Sequence, residues 1–199
     1  MSGTEAMIRI DVEGELEKIV QHLKTLPDQI AAPNILKNAL NATARKVRKQ
    51  LVKDAKGEYA IKDTSALKDE SKGGPKVLTA STANMSAAIR SRGPMQDIMA
   101  FMTRPNTKTG AAAAQVLKSG SMKPLEMDGL KAFVTRFASG HTAIVQRKGA
   151  GRLPVKKLLS PAVPFMLGNE TVREKAEALA YEIMQDEIDK RIQKVLGKA

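Results

Sequence analysis

The sequence predicts an α+β fold in one domain over residues 1–199. N-terminal helices and a long C-terminal helix are expected to pack on a small antiparallel β-sheet. Apolar residues recur with a helical period over residues 33–57 and again over 170–196. Between them lie short stretches of β texture punctuated by Gly, Pro and Ser. Helices at the ends with strands grouped between them fit segregated α and β elements better than alternating β-α-β units. No internal repeat is visible.

Residues 7–12 alternate, with Ile8, Ile10 and Val12 on one face, which predicts a half-buried strand. After Gly14, the residues Leu16, Ile19, Val20 and Leu23 fall at helical spacing until Pro27. The second helix is signalled more strongly. Pro33 suits its first turn, Leu36, Leu40, Val47 and Leu51 form one face, and Ala39, Ala42 and Ala44 add propensity. Gly57 is the expected C-cap. Residues 62–76 read as a loop with one helical turn near 64–68. Strands are expected at 77–83, 87–92, 98–102 and 113–117, with a turn at Gly93-Pro94 and a long exposed loop at 103–112. The clearest hairpin spans 131–148 and turns at Ser139-Gly140. Pro154, Pro161 and Pro164 then make 152–164 an edge strand or an extended segment. Asn169 or Thr171 can cap the last helix, and Thr171 with Glu174 fits a capping box. Its stripe is Val172, Ala176, Leu179, Ala180, Ile183, Ile188, Ile192 and Val195, ending at Gly197. At 1.5 Å per residue it is roughly 40 Å long. It is expected to lie along its own domain, with projection onto a neighbouring copy as the alternative.

Composition excludes several functions. The chain has no Cys, which removes disulfides, Cys-ligated zinc, iron–sulfur clusters and thiol catalysis. Its two His, at 22 and 141, cannot make a His-rich metal site: His141 reads as a solvent-facing residue beside a tight turn, and His22 lies on a charge-rich helix with no carboxylate or second His at ligand spacing. Aromatics are 3% with no Trp, which disfavours base-stacking platforms. No stretch approaches the ~18 apolar residues of a membrane span, and the first twelve residues lack the apolar core of a signal peptide. Phosphate loops, dinucleotide fingerprints and nucleophile elbows are missing. Glu182, Asp186, Glu187 and Asp189 read as a solvated helix face rather than an acid–base pair. No catalysis and no cofactor is expected.

Charge points to partners. The net charge is +12, and residues 29–168 hold 24 bases against eight acids, a local net of +16. Arg45, Lys46, Arg48, Lys49 and Lys53 lie on the polar face of the second helix. Two readings are open. The bases meet an anionic partner, including non-specific contact with DNA. Or they are a solvated face that favours the helix dipole near its C-terminus.

One resemblance runs through residues 132–164. Ala132-Phe133-Val134, Gln146-Arg147-Lys148-Gly149, Arg152-Leu153-Pro154-Val155 and Ser160-Pro161-Ala162-Val163-Pro164 occur in that order before a long charged helix. The set resembles the prophage minor tail protein Z family, the tail-completion proteins of long-tailed phages. Upstream, the basic helix end at 46–53 and Ile89-Arg90-Ser91-Arg92-Gly93-Pro94 are similar to that family more weakly. The alanine-rich stretch at 110–114 departs from it.

The resemblance implies a virion structural protein, made in the host cytoplasm, that completes the tail at its head-proximal end and helps join it to the head. It implies a ring of copies, with six as the natural number, touching a tail terminator, tail tube or head connector. Its interface is expected along Arg147, Arg152, Leu153, Pro154, Leu158, Leu159, Pro161 and Pro164. The residues themselves support this: Leu153, Val155, Leu158, Leu159, Val163 and Phe165 are too apolar for a free loop. Intrachain partners for Arg147 and Arg152 are the alternative. The competing function is a basic nucleic-acid-binding protein without catalysis.

Overall fold

The structure, a computed structural model, describes residues 4–9, 32–104 and 111–197. The first predicted helix, with Leu16, Ile19, Val20, His22 and Leu23, lies outside the described residues. So do Ile10, Val12 and the loop tip at 105–110.

The elements run β1 (Thr4–Arg9), α1 (Ala32–Glu58), β2 (Lys76–Leu78), β3 (Ala88–Gly93), β4 (Gln96–Asp97), β5 (Met102–Arg104), β6 (Ala113–Gln115), β7 (Lys123–Pro124), β8 (Glu126–Met127) and β9 (Leu130–Lys131). Then follow β10 (Phe133–Arg136), β11 (Thr142–Arg147), β12 (Val155–Lys157), β13 (Leu159–Ser160), α2 (Val163–Leu167) and α3 (Glu170–Leu196). The fold is α+β. Its strands form several small antiparallel sheets rather than one: β1-β3-β2, β5-β6-β7, β8-β9, β10-β11-β12 and β13-β4.

Two long helices make the main layer. Leu40, Val47 and Leu51 of α1 are buried against Val172, Ala176, Ala180, Met184 and Ile188 of α3. The helices run antiparallel. The Tyr59 side chain, just after α1, lies beside that of Asn169 at the start of α3, while Asn38 and Lys194 line one cleft at the opposite end. So α3 lies along its own domain. Small residues at the seam (Ala39, Ala44, Ala176, Ala180) let the backbones approach. Each fully buried Leu or Met contributes about 2 kcal/mol of apolar burial.

The end of this layer is closed by α2 and the β1-β3-β2 sheet. Val163, Met166 and Leu167 bury against the helices, with Ile89 of β3 and Phe101 in the same core. A second core, Ile98, Ala112, Ala114, Ala132, Val134 and Ile144, holds the remaining sheets together, and half-buried Val116 packs on both cores.

Gly73 and Gly93 mark a tight crossing. A Cβ on Gly93 would stand 2.6 Å from the Gly73 Cα and 2.8 Å from the Lys72 carbonyl oxygen. Gly73 itself has φ +103° and closes the 3-10 turn at Glu70–Lys72, and its carbonyl accepts from the buried Ser91 hydroxyl. Only glycine satisfies both demands.

Several expectations are corrected. Residues 98–100 are not a strand; the strand starts only at Met102 and runs to Arg104, and buried Thr103 and Ala112 take both ends of the expected exposed loop at 103–112 into the fold. The Asp97 carboxylate accepts from Met99 N at 2.9 Å and winds Ile98–Ala100 into a 3-10 turn, which drops Ile98 into the second core. The strand at 77–83 shortens to Lys76–Leu78, since Ala80 leaves the ladder to hydrogen-bond the Asn41 side chain. Gly57 does not cap α1. The helix continues to Glu58, and Ala60 N donates to Val116 O at 2.8 Å, drawing the chain straight into the strands. The capping box at Thr171 does not form. Asn169 is the N-cap: its side-chain oxygen reaches forward to accept from Thr171 N at 3.1 Å, and Thr171 is already helical. Pro164 is not in extended chain: it occupies the first turn of α2, where its missing N–H leaves no gap.

Candidate functional site

The segment that follows β11 emerges along a sheet edge. Strand β12 pairs with β11 in the register Val145↔Lys157 and Arg147↔Val155, and among the described residues no strand pairs with its other edge. Lys148 N donates to Pro154 O at 3.0 Å and closes the loop between them. The chain then crosses to β4, with Leu159↔Asp97 and Ser160↔Gln96, and turns into α2. The prolines sit where predicted for an edge: Pro154 before β12, Pro161 after β13.

The predicted interface residues divide. Leu158 is half-buried against the second core and its N–H donates to Ile144 O at 2.9 Å, so it belongs to its own domain. Val163 and Pro164 are buried as well. Extended neighbours point to opposite sides, which is why Leu159 is instead 48% exposed. Leu153 is 73% and Phe165 60% exposed. Met95, just before β4, is exposed too. Arg147 lies with its guanidinium 5.7 Å from the Phe133 ring centroid, an intrachain cation–π partner. Arg152 is exposed, with no ion-pair partner among the described residues. Gln146 is buried and its amide donates to the carbonyls of Met127 and Leu130, tying β11 to the small β8-β9 hairpin.

The basic face of α1 also divides. Lys46 pairs with Glu187 across the helix seam, and half-buried Arg48 donates from Nε to Pro75 O. Arg45 faces a cleft of about 700 Å³ that it shares with Lys190, Arg191 and Lys194 of α3. Lys49 and Lys53 line a separate groove of about 440 Å³ with Arg48, Val52, Lys56, Thr64 and Lys68. Sequence reasoning did not connect Lys68 with this face. The helical turn at 64–68 brings it there, held by Leu67 N to Thr64 O and by the fully buried Leu67.

Glu187 overturns its expected place on a solvated face. It is 8% exposed and paired with both Lys46 and Arg191. The hydrogen bond from Lys46 holds its carboxyl below the usual range, against the opposing effect of burial and with help from Arg191. A depressed carboxyl stabilises the fold above the unfolded-state value, about 4.3, and that contribution fades as pH falls through the folded value. Glu187→Gln is expected to cost about 2 kcal/mol at neutral pH and to flatten the acid limb of the stability curve below about pH 5, as read from urea unfolding across pH. Unchanged acid dependence would show that the pair is energetically idle.

At the tip of the β10-β11 hairpin, His141 is exposed as expected and stacks on Phe137. Its Nε2 lies 3.3 Å from Lys157 Nζ, which in turn pairs with Asp97 at 2.8 Å. Among the described residues no group of three or more His, Asp or Glu could hold a metal, and no helix is long and apolar enough to cross a membrane. Comparisons with protein-family models, with curated proteins and with solved structures give no significant match.

Proposed function

We propose that this chain is a non-catalytic structural protein of a phage virion. It completes the tail at its head-proximal end and helps join the tail to the head. In this reading it works as a ring of copies, six by expectation, seated against a tail terminator, tail tube or head connector. The observation that carries the reading is the exposure of Leu153, Leu159 and Phe165 within thirteen residues. They flank a strand with an open edge, in the same stretch that resembles the minor tail protein Z family. Large apolar side chains in water beside free backbone donors and acceptors favour docking on another chain. Small separate sheets, whose outer edges carry no further strand among the described residues, offer further places for a neighbour to add a strand.

Immunogold labelling of the particle that encodes the chain tests the proposal. Label is expected at the junction of head and tail, and particles lacking the chain are expected as separate heads and tails. Label elsewhere, or a chain absent from purified particles, would overturn it.

A further inference from the structure

The groove between the second half of α1 and the turn at 64–68 holds cations and no carboxylate. Its lining is Arg48, Lys49, Val52, Lys53, Lys56, Thr64 and Lys68. Lys49, Lys53, Lys56 and Lys68 are exposed and have no carboxylate partner among the described residues, whereas Lys46, one turn earlier, is used by Glu187. Unpaired like charges facing each other across a groove repel. The arrangement stores an electrostatic cost that an anion relieves.

We infer that this groove binds the phosphodiester backbone of duplex DNA, without reading its sequence. Three features favour that ligand. Lys49, Lys53 and Lys56 step along one face at i, i+4 and i+7, a rise of about 10 Å. Duplex DNA carries one charge per ~1.7 Å of axis, so about six phosphate charges pass along that span. Thr64, at half-buried depth between the cations, adds a hydroxyl of the kind that commonly contacts phosphate oxygens. An acidic protein partner would need an apolar anchor for a hot spot, and the groove supplies only Val52. The groove also has no Asn, Gln or aromatic side chain to read a base edge or stack on a single strand. Binding is therefore electrostatic and of modest affinity. This goes beyond the assembly role and does not depend on it.

Fluorescence anisotropy of the purified full chain with a labelled duplex of arbitrary sequence, across 50–200 mM salt, tests the inference. Four lysine–phosphate contacts predict a slope of about −3.6 in log K against log salt, about 150-fold weaker binding over that range. Lys49→Gln/Lys53→Gln/Lys56→Gln should weaken binding at least 10-fold and reduce the slope by about 2.7. Lys68→Gln, on the opposite wall, should reduce it by about 0.9 by itself. The triple arginine variant should bind like the native chain, and Lys118→Gln/Lys123→Gln, on the strand side, should leave the slope unchanged. Far-ultraviolet circular dichroism checks that the variants keep their helices. The inference is overturned if the triple glutamine variant and Lys68→Gln both bind as the native chain does. It is equally overturned if polyglutamate of matched charge binds as tightly as the duplex, which would assign the groove to an acidic protein.

Discussion

Gly93→Ala is expected to destabilise the protein by about 3 kcal/mol, with the loss read from urea unfolding at neutral pH. The added methyl would lie 2.6 Å from the Gly73 Cα and 2.8 Å from the Lys72 carbonyl oxygen. Both obstacles are backbone, so no side chain can swing aside. The crossing holds β3 against the 3-10 turn and α2 against both, since the Gly73 site also abuts Pro164 and Val163. Separation there loosens one wall of the main core. A variant within 0.5 kcal/mol of the native chain would mean that the crossing is slack. Gly57→Ala is the matched control: nothing stands within 4 Å of a Cβ there, and a helical alanine should be neutral or slightly stabilising.

The second large effect concerns assembly. Leu159→Asp/Phe165→Asp should leave the thermal unfolding midpoint nearly unchanged, because both side chains already face water. Incorporation into particles should collapse. Two buried apolar anchors at roughly 2 kcal/mol each correspond to about 1,000-fold weaker docking. Leu158→Asp is the contrasting variant. It puts a charge beside Ile144 and Val134 in the second core and should unfold the strand half. If the double variant assembles normally, the exposed side chains are not the joint, and the tail-completion reading loses its main support.

The helices were legible because they are long. Four turns of apolar repeat in α1 and six in α3 leave little room for another reading, and most of their buried residues follow the predicted stripes, with Ile35, Thr43, Ala55, Met184 and Glu187 buried outside them. The strands were less legible because most span only two or three residues, too short for a period of two to declare itself. One strong signal was there and went unread. Asp128-Gly129 has φ of +56° and +71° and turns the β8-β9 hairpin, as that dipeptide does by preference.

The candidate surfaces show a different limit. Sequence places Leu158 and Leu159 equally in an apolar segment. Which one faces the core depends on the register of β12 and β13, and that register is set by partners at residues 96–97 and 144–147. Likewise Lys46, Lys49 and Lys53 read as one basic stripe. Only the approach of Glu187 and Lys68 from distant segments separates a structural ion pair from an open groove. Charge at a position is local information; whether it is compensated is tertiary.

The antiparallel pairing of α1 with α3 has a consequence for biosynthesis. Leu40, Val47 and Leu51 leave the ribosome well over a hundred residues before Met184 and Ile188, which cover them. At 5–20 residues per second the nascent chain carries an uncovered apolar helix for on the order of ten seconds. The strands between can pair locally in that interval, but the principal core cannot close until nearly the whole chain has been translated. A ribosome stalled before residue 170 would therefore present α1 as a bare greasy ridge, the state most in need of a chaperone's grip.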